Sequence, residues 1–461
     1  MSLLDSLSQK EVWEKFYAYK TSLACQGAAA QSLREFIEVQ GYLPVCEEIW
    51  QITSQQTASA EECPTSGVQF PASGEEASGV QFPASGEEAS GVQFPASGEE
   101  EASGVQFPLP RKSVISKQSS RKKRVVYTYP EAENLVLKLL TYLLLRKYDG
   151  LFSDNLFSFR PNKSAKDAIR RLHQIPDLQR KYSYKVDISN YFNSIPIERL
   201  LPELEAVTMD DPSLFFFLKS LLTEPFVTGG PSPESNLIRE QKGIMAGTPL
   251  ACFYANLYLR DMDQFFFDQG IPYARYSDDV IVFGDSMEEV RCHADAIRSF
   301  LSQKGLAVNP AKEEFRTPEE GFLFLGFFVR DGQVDVSPVS VQKIKKKMRR
   351  KVRALQRWQK RNDLLSEKPA KAFIRTFHRK LLESPAENDL SWSYWYFPTL
   401  TVTDSLHVID LYAQECIRTL LTGKHTKARY NARYEDLKAL GYQTLVNAYH
   451  QFSKEHSSGR P

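Results

Sequence analysis

The chain has no apolar run of the eighteen or so residues needed to cross a bilayer. Its greasiest stretch, Leu139–Leu145, is bracketed by Lys138 and Arg146. The N-terminus, Met-Ser-Leu-Leu-Asp, lacks a basic segment followed by an apolar one, so no secretory leader is expected. Six cysteines (Cys25, Cys46, Cys63, Cys252, Cys292, Cys416) lie far apart with no C-x-x-C among them, and the seven histidines form no H-x-x-x-H or Cys/His cluster. These absences speak against a membrane protein, a zinc finger, an HNH-type nuclease and a disulfide framework. Scattered reduced thiols suit a cytoplasmic location.

Net charge is also nearly missing, at +1, but the cancellation is local. Residues 61–107 hold nine Glu and no Lys, Arg or Asp; without those nine, 58 basic residues face 48 acidic ones, a net charge of +10. The acidic segment is a repeat: SGVQFPASGEEA begins at Ser66, recurs at Ser78 and Ser90, and returns truncated at Ser103. Each copy offers only Val and Phe as apolar anchors among Gly, Pro, Ser and Glu, too little burial to offset the entropy of ordering. Residues 57–104 are therefore expected to be a disordered linker made by tandem duplication.

The remainder, in a chain of 461 residues, is long enough for two to four subdomains. Residues 1–56 carry Val12, Trp13, Phe16 and Tyr17, then Leu33, Phe36 and Ile37, at helical spacing, which predicts two or three short helices up to about Ile52. After the linker, helices and strands mix. Pro130 opens a helix with Glu131 and Glu133 in its first turn and Gly150 just past its end. Ser286-x-x-Glu289 is a capping box for a helix that stops at Gly305. Strand signals stand at Tyr182–Ile188 and in a hairpin from Tyr273 to Phe283, and the sequence beyond Ser337 turns helical and basic.

Chemistry concentrates in the acids of these strands. ARYSDDVIVFG places Asp278 and Asp279 at a tight turn, and in YKVDISNYFNSIP Asp187 ends an apolar run. Asp is a good turn residue, so the pair alone says little. Three carboxylates at neighbouring strand ends would repel one another unless divalent cations neutralised them. Oxygen ligands suit Mg²⁺, and two such ions are the usual device for in-line phosphoryl transfer.

Over roughly Arg111–Phe328 the chain resembles prokaryotic reverse transcriptases, including those of group II introns, retrons and defence systems. The resemblance runs in order through KKRVVYTYPEAEN, NLFSFRPNKSAKDAI, VDISNYF, GIMAGTPLACFYANLYLRDMD, YSDD, NPAKEEF and FLFLGFFV. It implies an α+β right-hand polymerase fold, with fingers and an antiparallel palm over 105–336 and a helical basic thumb and C-terminal region over 337–461. It implies that Asp187, Asp278 and Asp279 bind two Mg²⁺ ions with help from the Ile188 carbonyl, and that Phe192 is the gate against a 2′-hydroxyl. Lys123, Arg124 and Arg160 are implied as triphosphate contacts, Gly247 as part of the nucleotide pocket, Lys312 as a proton donor to pyrophosphate, and Phe324–Phe328 as the primer grip. Bland readings stand beside these: Phe192 as core, the arginines as structural, Gly243 and Gly247 as places of close backbone approach. One departure is Ala246, where related enzymes often carry Gln.

Lys343–Arg361 contains eleven Lys or Arg and no acid, with Ile344, Met348, Val352 and Leu355 recurring every three or four positions. This predicts an amphipathic helix whose cations Lys343, Lys346, Lys347, Arg350, Arg353 and Arg357 contact nucleic-acid phosphates. The string TGKHTKARYNARYEDLKALGYQTLVNAYHQF resembles the ends of defence-associated reverse transcriptases. That likeness implies a bacterial enzyme copying a small structured non-coding RNA, encoded beside its gene, into cDNA with deoxynucleoside triphosphates. Retron-like or diversity-generating enzymes, protein-primed synthesis and a non-catalytic RNA-binding scaffold stay open, as does oligomeric state.

Overall fold

Helix-forming pattern at the N-terminus yields α1 (Lys10–Ser22), α2 (Ala28–Glu38) and α3 (Leu43–Glu61). The computed structural model of the chain describes residues 2–22, 28–61, 106–116, 123–229, 237–383, 392–424 and 426–457. Helix α3 runs past the expected end near Ile52 to Glu61, so residues 57–61 are helix and not linker. Its last turns, Gln-Gln-Thr-Ala-Ser-Ala-Glu, lack apolar periodicity but contain no breaker before Pro64. The repeats at 66–104 lie outside the described residues.

Next come β1 (Arg111–Ser116), β2 (Lys123–Thr128), α4 (Glu131–Lys147), α5 (Ala165–His173) and β3 (Tyr182–Asp187). Three helices follow, α6 (Tyr191–Ser194), α7 (Ile197–Val207) and α8 (Pro212–Thr223), then short strands β4 (Phe226–Thr228) and β5 (Leu237–Arg239). Helices α9 (Ala251–Tyr258) and α10 (Arg260–Asp268) lead into the hairpin β6 (Tyr273–Tyr276) and β7 (Asp279–Gly284), α11 (Met287–Gln303) and β8 (Glu314–Arg316). Ser286 caps α11 as predicted, its hydroxyl accepting the Glu289 N–H at 3.1 Å, but the Glu289 carboxylate accepts the Asp285 N–H at 2.7 Å instead of closing a box on Ser286. Strands β9 (Phe322–Phe324), β10 (Phe327–Arg330) and β11 (Gln333–Val336) precede the C-terminal helices α12 (Pro338–Arg361), α13 (Glu367–Leu381), α14 (Trp392–Tyr396), α15 (Asp404–Thr422), α16 (Tyr434–Ala439) and α17 (Leu445–Ser457).

Three sheets result. One has the order β2-β1-β4-β5, with β1 and β4 parallel; the second is β6-β7-β3-β8, antiparallel throughout; the third is the meander β11-β10-β9. The second sheet separates two cores. Val280 and Val282 of β7 point into a core built from α4, α7, α8, α9, α11 and the N-terminal helices, while Ile281 and Phe283 point into one shared with the meander and α12–α17. Burial on both faces is why VIVF reads as a continuous apolar run rather than an alternating one. The N-terminal helices belong to the first core: Phe16 packs 5.2 Å from Tyr142 of α4, and Asp211, the N-cap of α8, accepts the Leu3 N–H at 2.6 Å. No helix among the described residues is long and apolar enough to cross a membrane.

Candidate active site

Antiparallel pairing of β3 with β7 sets Asp187 directly opposite Asp279. Strands β6 and β7 are joined by the two-residue turn Ser277–Asp278, since Tyr276 pairs with Asp279. Ser277 takes φ +60°, the positive first-position dihedral of a hairpin turn. The Ile188 N–H donates to the Asp278 carbonyl at 3.0 Å, which ties the end of β3 to that turn. Thus the three acids singled out in the sequence meet at one end of one sheet, with Ile188 buried beside them.

Their electrostatics show the crowding. Burial, followed by the negative charges of Asp187 and then Asp279, pushes the Asp278 carboxyl up to about 6. Burial also raises Asp279, against the lowering pull of Lys185 and Lys312. Lys312 lies on a short turn whose Asn309 N–H donates to the Asp187 carbonyl at 2.8 Å, and its Nζ sits 2.6 Å from Asp187 Oδ2. So the lysine expected to face pyrophosphate is here an ion-pair partner of the first acid. Among the described residues no three His, Cys, Asp or Glu side chains converge on one point as a ready-made metal cage. The donor set still fits a hard divalent cation: Asp187 and Asp278 offer neighbouring carboxylates, and a cation between them would relieve the repulsion that raises Asp278.

Beneath the turn lies a polar network that the sequence reading missed. Arg275 and Asp263 are both 0% exposed at the side chain; Arg275 Nη2 is 2.5 Å from Asp263 Oδ2 and Nε is 2.7 Å from Oδ1. The same guanidinium donates to the Ser277 carbonyl at 3.3 Å and the Asn256 carbonyl at 3.4 Å, and Tyr273 donates to Asp263 at 2.9 Å. Asn256 in turn donates to the Ser158 carbonyl at 2.8 Å. The available signal was an arginine inside an apolar strand, ARYSDD, which has to find a buried acid.

The nucleotide side is organised by the GIMAG loop. Gly243, Met245 and Gly247 have φ of +53°, +58° and +105°. A Cβ on Gly243 would lie 2.6 Å from the Phe192 carbonyl oxygen, and one on Gly247 would lie 2.9 Å from that of Tyr127. The loop is therefore wedged between α6 and β2, and both glycines serve close backbone approach. Ala246 stitches the two sides with its backbone, donating to Asn193 Oδ1 at 3.2 Å and accepting the Tyr127 N–H at 2.8 Å. Phe192 is half-buried, its ring 5.6 Å from Tyr191 and 6.4 Å from Phe159, which continues to Tyr276. Lys123 and Arg124 open β2 in exposed positions opposite Ser116 and Ile115.

Arg160 has to be reassigned. Its Nε is 2.7 Å from Asp149 Oδ1, and Nη1 and Nη2 donate to the carbonyls of Ser153 (2.7 Å) and Asp149 (3.2 Å). With its side chain 5% exposed, it braces the loop after α4 and does not present its charge to a triphosphate.

Helix α12 forms as the periodicity predicts. Val341, Ile344, Met348, Val352 and Leu355 are buried, and Lys343, Lys346, Lys347, Arg350, Arg353 and Arg357 are exposed on the opposite side. A second cationic helix was not anticipated: α13 exposes Lys368, Lys371, Arg375 and Arg379 at the same spacing.

Among known proteins, residues 115–329 match the family described as reverse transcriptase (RNA-dependent DNA polymerase). No curated protein matches the chain. Solved structures similar to it include telomerase from Candida albicans with a fragment of telomeric RNA (TM-score 0.40, 13% identity, 74% of this chain and 67% of that one). Apo telomerase from Candida tropicalis is another (TM-score 0.42, 12% identity, 76% and 71%). The family match and the acid-bearing antiparallel sheet agree: the chain mixes helices with antiparallel sheet, and its residues 115–329 match a reverse transcriptase domain, the nucleotidyltransferase unit of an RNA-directed DNA polymerase.

Proposed function

We propose that this protein extends a primer along an RNA template with Mg²⁺ held by Asp187, Asp278 and Asp279, and that its template is a small structured non-coding RNA copied in bacterial antiphage defence. The observation that carries the catalytic part is the register that sets Asp187 opposite Asp279, with Asp278 on the adjoining turn and its carboxyl pushed up to about 6 by burial and its acidic neighbours. Such repulsion destabilises the protein unless a cation uses it. Two bound divalent cations would supply charge neutralisation at the attacking 3′-hydroxyl and at the pyrophosphate leaving group.

The protein's own groups do the placing. Ile188 and the β6–β7 turn fix the acids relative to one another. Phe192, held against Phe159 and Tyr191, gives the floor beside them an apolar wall suited to a deoxyribose. Lys123 and Arg124, exposed at the start of β2, would meet the polyphosphate, and Lys312 stands beside Asp187 as its ion-pair partner. The basic face of α12 supplies sequence-independent grip on the template–primer backbone. Support for the defence role comes from the motif resemblance, and support for the expected cytoplasmic location from the scattered thiols.

The test is to purify the chain from its host beside the Asp278→Ala/Asp279→Ala variant and to sequence co-purifying RNA and DNA. One small RNA with matching cDNA in the wild type alone supports both parts of the reading. RNA bound equally by both proteins, with cDNA in neither during phage challenge, refutes the catalytic part and leaves an RNA-binding scaffold.

A further inference from the structure

Tyr394 and Trp395 are 53% and 36% exposed, although the residues that follow them are firmly held. The Tyr396 ring lies 5.0 Å from Phe327, and its hydroxyl donates to Ser340 Oγ (3.2 Å) in the first turn of α12. Phe397 packs 5.4 Å from Tyr449 and 5.9 Å from Phe452 of α17. The Thr401 N–H donates to the Val334 carbonyl (3.0 Å), and the Val334 N–H donates to Thr401 Oγ1 (2.8 Å). Two large rings are therefore presented outward on a stiff mount, where α5, the β9–β10 hairpin and α12 meet. A fold that anchors the neighbours so well had the means to bury these rings as well.

The surroundings are cationic. Lys166 Nζ of α5 lies 4.4 Å from the centroid of the Tyr394 ring. Arg170, one turn on, donates to the Pro398 carbonyl at 3.2 Å while keeping 47% of its side chain exposed. Arg171 is exposed beside it. Among the described residues, the acid of α5, Asp167, is engaged by Arg170 at 3.3 Å and by the Ser164 hydroxyl at 2.5 Å. Burial, then the charge of Arg170, lowers the ammonium of Lys166, so it gains more from an anion than a fully solvated lysine would.

We propose that Tyr394, Trp395, Lys166 and Arg170 form a binding site for unpaired nucleotides, distinct from the phosphate-gripping face of α12. Bases stack on the two rings, and Lys166 with Arg170 holds the adjoining phosphates. Every base has a π-face, so such a site takes single strands of any sequence. A paired helix hides those faces and gains little there. Aromatic rings with a surplus of cations match a nucleotide better than an acidic peptide, which would leave the stacking surface unused.

The choice of partner rests on the polymerase reading, but the test needs no catalysis. Binding of a labelled twelve-nucleotide single-stranded RNA and of a blunt RNA–DNA hybrid is measured by anisotropy, without nucleotides, on the full chain. Tyr394→Ala/Trp395→Ala should weaken the single strand at least about tenfold and the hybrid less than about twofold, with unchanged melting temperature. Tyr394→Phe/Trp395→Phe should keep single-strand binding. Lys166→Gln should weaken it several-fold and flatten its salt dependence by about one phosphate contact. Unchanged single-strand affinity in the double-Ala variant overturns the proposal, as does equal loss for strand and hybrid. Loss of self-association with RNA binding intact overturns it too, by making the patch a protein contact. A chain that binds both nucleic acids normally yet incorporates no nucleotide would instead count against the polymerase reading alone.

Discussion

Arg275 and Asp263 form a two-pronged ion pair, 0% exposed on both sides, whose guanidinium also holds the carbonyl of Ser277, the residue before Asp278. Two charges removed from water are tolerated only while each satisfies the other. Arg275→Met or Asp263→Asn should therefore destabilise by roughly 3–5 kcal/mol, measured by urea unfolding. The double variant Arg275→Met/Asp263→Leu should cost clearly less than the sum of single losses. Arg275→Lys keeps the charge but not the fork, so it should retain more stability than Arg275→Met and still lose incorporation, because Ser277 is no longer held. Full activity in Arg275→Lys would show that the pair supports only the core.

Asp278 gives a pH dependence of definite sign. Its folded carboxyl is raised to about 6 from the ordinary value of 3.8, so the unfolded chain ionises it more readily. The penalty is absent below the unfolded value, grows as pH rises from about 4 to 6, and is complete above that, on the order of 3 kcal/mol. Asp278→Asn should accordingly raise the melting temperature of cation-free protein at pH 8 and change it little at pH 4. Added Mg²⁺ should stabilise the wild type at pH 8 more than it stabilises Asp278→Asn. Equal stabilisation of both would argue against Asp278 as a ligand. Asp278→Ala/Asp279→Ala should abolish incorporation while RNA binding survives.

The parts of this site that were legible in the sequence are those encoded over a few residues. The β6–β7 turn announces itself by acids between β-branched and aromatic residues, α11 by its cap, and α12 by its apolar spacing. Strands β4, β5 and β8 are three residues each, too short for alternation to show. Arg160 was misplaced because its sequence neighbourhood says it is a cation in a loop and nothing about Asp149, which the fold brings to it from eleven residues away. Arg275 had the opposite fault: its oddity in an apolar strand was visible, but its partner Asp263 sits on a different element. Long-range pairing of charges is decided by packing, and local pattern carries none of it.

Gly243 offers a test of the loop wedged between α6 and β2. Its φ of +53° disfavours any side chain, and an added Cβ would meet the Phe192 carbonyl and the backbone of Asn193, neither of which can rotate away. Gly243→Ala should destabilise by about 2 kcal/mol or more, and by displacing Phe192 should lower discrimination between deoxy- and ribonucleotides in single-nucleotide extension. Gly270 is the control: it too has a positive φ, but a Cβ there meets nothing within 4 Å. Gly270→Ala should cost only the dihedral strain and leave extension unchanged.

The cations of α12 should act on binding without touching the fold. Lys346, Arg350 and Arg357 are exposed, and among the described residues none is in an ion pair, so their replacement removes no native contact of consequence. Lys346→Gln/Arg350→Gln/Arg357→Gln should leave the melting temperature within about a degree, because surface substitutions of this kind are nearly neutral. If each side chain neutralises one phosphate of the bound helix, the slope of log affinity against log salt should fall by up to about three. The loss should be the same for unrelated primer–template sequences, since phosphate contacts position a duplex without reading it. A reduced affinity with unchanged salt slope would place these residues away from the nucleic acid and return the grip to α13, whose Lys368, Lys371 and Arg375 are the next exposed stripe.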